Sequence, residues 1–353
     1  MTSVPFFSVC IPQHDRTDFL LRAIASLAGQ GFRDFEICIS DDNSQDGRQQ
    51  EVEAALAASG LAYKFKRRET NGRYDANLRT AIALAEGRYC FLLGNDDALA
   101  SDKVLERAHT IIEREGPCGV AIADFENYRT GKRVNRIRAT GNRGSGPEVA
   151  AHHFRNFSFV SGVMLDRTLA QQFATDKWDG SEMYQTYIGC RIIARGHNLL
   201  EIGESLIRKD IMLQAQSVDS YAQRPRVSPC PIQERPVPLV KLGRLVADAI
   251  AVNGADPNRR KHNTAILLQL LIFTYPFWLF EYRRVQSWNY AAGIALAMRP
   301  SRITEKLELG AFRSWLIKTC YFGVTLLGLI VPRRSFEVLV PSLYRWAKLR
   351  SSA

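Results

Sequence analysis

Ala85-Glu-Gly-Arg-Tyr-Cys-Phe-Leu-Leu-Gly-Asn-Asp-Asp97 carries the decisive pattern: a helical stretch stopped at Gly87, a β-rich apolar run at Tyr89–Leu93, then a polar loop ending in two carboxylates. Working outward, the same order recurs twice toward the N-terminus. Phe7–Ile11 leads into Pro12-Gln-His-Asp-Arg16, and Phe35–Ser40 leads into Asp41-Asp-Asn-Ser-Gln-Asp46. Ala62–Lys66 and Val120–Ala123 are further short runs of strand character. Helical patterns separate them: Asp18–Leu27 with Thr17 as N-cap, residues 48–58, Ala76–Ala85 and Lys103–Arg114. Strands alternating with helices of that length call for right-handed crossovers, hence an α/β fold with a mainly parallel sheet flanked by helices. Such sheets bind ligands beyond the carboxyl ends of their strands. The three polar loops lie there.

Those loops narrow the chemistry. No GxGxxG or GxxxxGK[ST] occurs in them, which removes the usual glycine cradles for dinucleotides and triphosphates. A phosphate ester held among carboxylates needs a divalent cation, Mg2+ or Mn2+, to neutralise both. Simpler readings stand beside this one. Asp41 and Asp42 can merely turn the chain, and Asp96 and Asp97 can cap the helix over 102–115, although Ser101 is the better cap. His14 can be a solvated loop residue, Asp15 and Asp46 read as turn or cap residues, and Asp124 and Glu126 read as surface loop or as facing an acceptor.

The chain has 353 residues, 46% hydrophobic and 24% charged, a globular composition of about two domains. Its net charge of +11 is uneven: residues 1–223 carry −2 and residues 224–353 carry +13. Five prolines in Arg224–Pro238 mark the change. The expected organisation is a catalytic domain at 1–222, a Pro-rich linker at 223–238 and a basic α-helical domain at 239–353. In the last, the apolar stretches Thr264–Phe280 and Thr319–Val331 fall short of the roughly 20 residues of a membrane span. Arg259-Arg-Lys261, Arg283-Arg284, Arg333-Arg334, Lys348 and Arg350 flank them, and Phe273, Tyr275, Phe277, Trp278, Phe280, Tyr282, Trp288 and Tyr290 cluster beside them. That composition suits helices lying on an anionic membrane surface, although basic residues can also simply solubilise a helix. Nucleic acid is set aside because no binding module is recognisable. Seven cysteines without CxxC spacing read as reduced, buried thiols. Met1–Cys10 lacks the pattern of a secretory signal, so the expected location is cytoplasmic, peripherally attached to the inner face of the cell membrane.

At the three loops the sequence resembles a family 2 glycosyltransferase of the GT-A fold, through Ser8–Arg16, Asp34–Ser44 and Ala85–Asp97 in the family's order and separations. The resemblance covers about residues 5–125 and continues weakly to about 215 through Phe159–Leu165 and Arg191–Gly196. It implies metal-assisted, inverting transfer of a sugar from a nucleoside-diphosphate sugar donor to a lipid-linked saccharide acceptor in bacterial surface polysaccharide biosynthesis. It also implies residue roles. Pro12 and His14 lie against the base and ribose, Asp42 accepts from the base edge, Asp96 faces the ribose and Asp97 holds the metal. Arg73 and Asn77 contact diphosphate or ribose, and Asn95 stands where the family has a first acid. The family's Glu-Asp pair, counted back from Arg191, falls on Tyr184-Gln185. Glu182 is therefore taken as general base, with Asp179 next. Two other readings remain: a non-catalytic, membrane-bound nucleotide-sugar-binding subunit, and a nucleotidyltransferase, which would want a glycine- and base-rich loop where the chain has Gln13-His-Asp15.

Overall fold

In the computed structural model, residues 4–211, 231–251 and 257–332 are described, with 334–336, 338 and 342. The chain divides into two compact units, residues 1–219 and 220–353.

The first unit alternates strands and helices: β1 Phe7–Gln13, α1 Thr17–Ala28, β2 Phe35–Asp41, α2 Gln49–Ala58, β3 Ala62–Arg67, α3 Arg73–Ala83, β4 Tyr89–Leu92, β5 Ala98–Leu99, α4 Val104–Glu115 and β6 Val120–Asn127. It continues through β7 Gly141–Asn142, α5 Pro147–His153, β8 Val163–Asp166, α6 Arg167–Gln172, α7 Tyr184–Ala194 and β9 Leu199–Lys209. The sheet order is β3-β2-β1-β4-β8-β6-β9-β5, with β7 on β9. The first four strands are parallel, as are β6 and β9, while β8 runs antiparallel between β4 and β6. The sheet is thus mixed, with the expected parallel block at its N-terminal side.

Burial explains the apolar runs. β1, β2 and β4 are buried along their whole length, because helices cover both faces. Helix α1 turns Phe19, Leu20, Ala23, Ile24 and Leu27 inward, the spacing of one helical face. Each such large side chain contributes about 1.5–3 kcal/mol on full burial. Gly87 is required by close approach: a Cβ there would lie 2.8 Å from the backbone of Phe7 and Ser8. Its N–H donates to Ser8 Oγ (2.8 Å), which itself donates to the buried carboxylate of Glu36 (2.6 Å). The helix preceding β4 is thereby seated against β1.

Local details differ from expectation. Thr17 is the first helical residue, and its hydroxyl donates to Asp46 (2.5 Å) instead of capping the helix. Pro12 belongs to β1 and is buried, so the loop begins at His14. Cys10, Cys38, Cys90, Cys118 and Cys190 are free and buried, Cys320 is half-buried, and Cys230 lies outside the described residues.

The second unit is helical: α8 Leu239–Ile250, α9 Arg259–Phe273, α10 Tyr275–Val285, α11 Trp288–Ala297, α12 Pro300–Ile303 and α13 Ala311–Ile330. Half of the expected linker, residues 223–230, lies outside the described residues, and α8 starts directly after Pro238. Among the described residues one stretch, Arg259–Val285, is long and apolar enough to cross a membrane. It is broken at Thr274, just before Pro276, and half of its most apolar 18 residues are buried within the structure. The aromatic cluster read as interfacial is partly core: Tyr275, Phe280 and Tyr282 are buried.

Candidate active site

Gln13, at the carboxyl end of β1, ties the loops together. Its carbonyl accepts from the Asp42 N–H (2.8 Å) and from Asn77 Nδ2 (2.8 Å), and its side-chain oxygen accepts from Asn95 Nδ2 (2.7 Å). Asp15 N–H donates to Ser44 Oγ (2.7 Å), while Asp15 accepts from Gln45 N–H (2.8 Å). Arg16 reaches across to Asp96 (2.9 Å). The ends of β1, β2 and β4 and the start of α3 therefore form one rim.

The acidic residues take distinct places on that rim. Asp41 turns the chain, accepting from Ser44 N–H (2.8 Å). Asp42 is buried; its Oδ1 accepts from Gly72 N–H (2.8 Å) and lies 3.0 Å from Arg68 Nε. Asp97 is buried as well, with one oxygen taken by Ser161 Oγ (2.5 Å) and the other by Asp210 N–H (3.0 Å). Burial, reinforced by the charge of Asp96, pushes Asp97 up to about 8 despite those two donors. Asp96 is the more accessible of the pair, with a side chain 25% exposed. Burial holds its carboxyl above the usual range against the pull of Arg16, and Asp210 adds to the rise. Asp210, just past β9, is thus a third carboxylate beside the pair.

Helix α3 connects the rim to the candidate base. Asp75, buried in its first turn, accepts from Glu182 N–H (2.8 Å) and Tyr184 N–H (2.9 Å) and so caps α7 from outside. Tyr74 donates to Gln185 (3.0 Å), the residue at the counted-back position of the family's acid pair. Burial, with the negative charges of Asp75, Asp97, Asp96 and Glu182 adding to it, raises the Tyr74 phenol well above its ordinary value. Glu182 itself is exposed. Asp179 is held by Arg79 in a bidentate pair (2.5 and 2.8 Å) and is occupied as a structural ion pair. Among the other expected residues, His14 is exposed beside Asn71 (3.2 Å), and Arg73 is exposed at the start of α3. Asn77 is buried with its Oδ1 left without a partner, an acceptor unsatisfied by the protein. Asp124 and Glu126 pair with Arg133 (2.5 Å) and Arg208 (2.9 Å).

Backbone strain concentrates here. Among the described residues, the non-glycine positions in left-handed conformation include Asp15, Arg16, Asn43, Arg73, Glu182 and Asp210, with φ between 49° and 62°. All six belong to the loops just described, and such strain, about 1–3 kcal/mol each, gathers at functional sites. Gln13, Asp75, Ser161 and Asp210 escaped the sequence reading, since none lies in an acid pair and their bonds to Asn77, Tyr184, Asp97 and Asp97 again span 64 to 113 residues.

Residues 8–165 match the sequence profile of glycosyl transferase family 2. These residues, within the first unit, therefore form a family 2 segment of the chain. The family 2 segment runs from the second residue of β1 through all but the last residue of β8. Abequosyltransferase RfbV of Salmonella typhimurium is 35% identical over 196 residues, covering 52% of this chain and 56% of that protein. A GalNAc(5)-diNAcBac-PP-undecaprenol beta-1,3-glucosyltransferase of Campylobacter jejuni is 31% identical over 98 residues, 28% of this chain and 32% of its own. The chain therefore spans about half the length of the first relative and a third of the second. The crystal structure of S. aureus TarS 1-349 in complex with UDP superposes with a TM-score of 0.58 at 13% identity, over 94% of this chain and 91% of that one, and shows a shared fold.

Proposed function

We propose that the chain transfers a sugar from a nucleoside-diphosphate sugar to a lipid-linked saccharide during bacterial surface polysaccharide assembly, with inversion. The observation that carries this reading is the gathering of Asp96, Asp97 and Asp210 past the ends of β4 and β9, with Asp75 of α3 tying the loop of Glu182 to the same rim, in a unit that matches family 2. The glucosyltransferase named for its PP-undecaprenol saccharide supports the acceptor class.

The orphaned Asn77 Oδ1 and the exposed His14 and Arg73 line the nucleotide side of the rim, with Pro12 and Asp42 holding its floor. A divalent cation, Mg2+ or Mn2+, fits a rim where Asp96, Asp97 and Asp210 lie beside one another. Among the described residues no group of three His, Cys, Asp or Glu side chains is arranged to hold such an ion, so phosphate oxygens and water would complete its shell. Accessible Asp96 would be its carboxylate ligand, in place of the sequence expectation Asp97, which would stand behind it. When bound, the ion supplies Lewis-acid stabilisation of the departing diphosphate. Arg16, released from Asp96, would turn its guanidinium to the phosphates. Glu182 would take the proton of the acceptor hydroxyl as that oxygen bonds to the anomeric carbon and the bond to the diphosphate breaks. Asp179, held by Arg79, would steady the loop bearing Glu182.

A thermal-shift panel of UDP, GDP, CDP and dTDP with and without Mn2+ tests the donor site. One nucleotide is expected to raise Tm in a metal-dependent manner, and Asp96→Ala to remove the metal dependence. If none of the four raises Tm, the donor site is misassigned.

A further inference from the structure

In the second unit, α13 is anchored through one face only. Ile317, Tyr321 and Gly328 point inward; the Tyr321 hydroxyl donates to Ala295 O (2.7 Å), and Arg283 donates to Gly328 O (2.7 Å). Tyr275 and Thr325 share a further hydrogen bond (2.8 Å), and a Cβ on Gly328 would lie 2.8 Å from Leu279. The opposite face is apolar and open: Phe312 is 72% exposed, Trp315 59%, Phe322 64%, Leu326 60%, Leu327 63% and Ile330 66%. At about 100° per residue these six form one strip running the length of the helix, roughly 30 Å. Arg313 and Lys318 fall on opposite flanks of that strip, about 100–120° from its centre. No acidic residue occurs from Ala311 to Arg334. A water-facing helix places its polar residues outward, whereas an apolar strip flanked by cations matches a bilayer whose acyl region takes the rings while phosphates meet the cations.

We infer that the outer face of α13 is a lipid-binding surface that seats the protein on an anionic bilayer, with the helix lying in the plane of the interface. Of the two stretches read as interfacial from sequence, this selects Thr319–Val331, all but its last residue in α13, over Thr264–Phe280, and it rests on the membrane-side acceptor proposed above. Flotation of the full chain with vesicles of phosphatidylglycerol and phosphatidylcholine, against phosphatidylcholine alone, tests it, with a nucleotide thermal shift run on the same samples. The expected result is binding to the anionic vesicles, weakened at least tenfold by Phe322→Glu with Leu326→Glu, and made less salt-sensitive by Arg313→Gln with Lys318→Gln. Acyl-chain-brominated lipid should quench tryptophan fluorescence, and the milder Trp315→Phe should lose most of that quenching. Unchanged flotation in the folded double-glutamate variant overturns the inference. So does wild-type protein that ignores vesicles and forms a dimer abolished by Leu326→Glu, which would make a second copy the occupant. Vesicle binding without any nucleotide shift would count against the donor site and leave α13 standing; the converse would overturn α13 alone.

Discussion

Asp96 and Asp97 are neighbours in sequence with opposite environments, and substitutions should separate them. Asp96→Ala is expected to lower kcat about a hundredfold or more and to abolish the cation dependence of nucleotide binding, read by titration with and without Mn2+. Asp97 behaves differently because its folded-state value is raised to about 8 from an ordinary 3.8. Between those limits the folded protein keeps a proton that the unfolded chain releases, so stability in the absence of ligands falls as pH rises from about 4 to 8. Asp97→Asn removes that slope. Without nucleotide or metal, the variant should match the wild type near pH 4 and exceed its Tm by several degrees at pH 8. A constant difference across the range would mean that Asp97 is not held protonated by its burial. Glu182→Gln should cut kcat by about 10²–10⁴ and leave nucleotide affinity intact, whereas Asp179→Asn should act on Tm through the lost Arg79 pair.

Between elements, the critical link is α3 to α7. Asp75 supplies acceptors that the start of α7 lacks, because Met183 at the cap position makes no side-chain bond. An amide in its place offers one accepting oxygen for two N–H groups, so Asp75→Asn should cost about 1–3 kcal/mol and let the strained Glu182 backbone relax. Denaturant melts would give the first quantity. A fall in kcat with unchanged nucleotide affinity would give the second, and weaker nucleotide binding would instead place Asp75 on the donor side. This link also shows what the sequence could convey. The strands at 7–13, 35–41, 62–67 and 89–92 were legible because each is a short apolar run beside a helical period, and the acidic loops follow their ends. β9 was missed because Leu199–Lys209 mixes Gly203, Ser205 and four charges into a strand whose middle is only half-buried. Cross-chain partners such as Ser161 with Asp97 have no local signature. The same limit misdirected the reading of the second unit, where Tyr275 and Phe280 look interfacial in sequence but pack as core, while the exposed strip belongs to α13.

At the scale of the molecule, the +11 net charge averages a nearly neutral α/β unit and a helical unit bearing the whole basic excess. Each unit has its own buried residues, with β-sheet packing in one and α8–α13 in the other, so each should melt as its own cooperative step. Calorimetry of the full chain is therefore expected to show two transitions. A nucleotide and Mn2+ at about 100 times Kd stabilise the unit that binds them by about 2.7 kcal/mol, and this should move one transition only. Anionic vesicles should move the other, and raising the salt should reverse that shift, since contacts of lysine and arginine with lipid phosphates at an exposed surface are screened. A single transition that responds to both additives would mean that the two units unfold as one, and that charge segregation along the chain does not correspond to separate folding units.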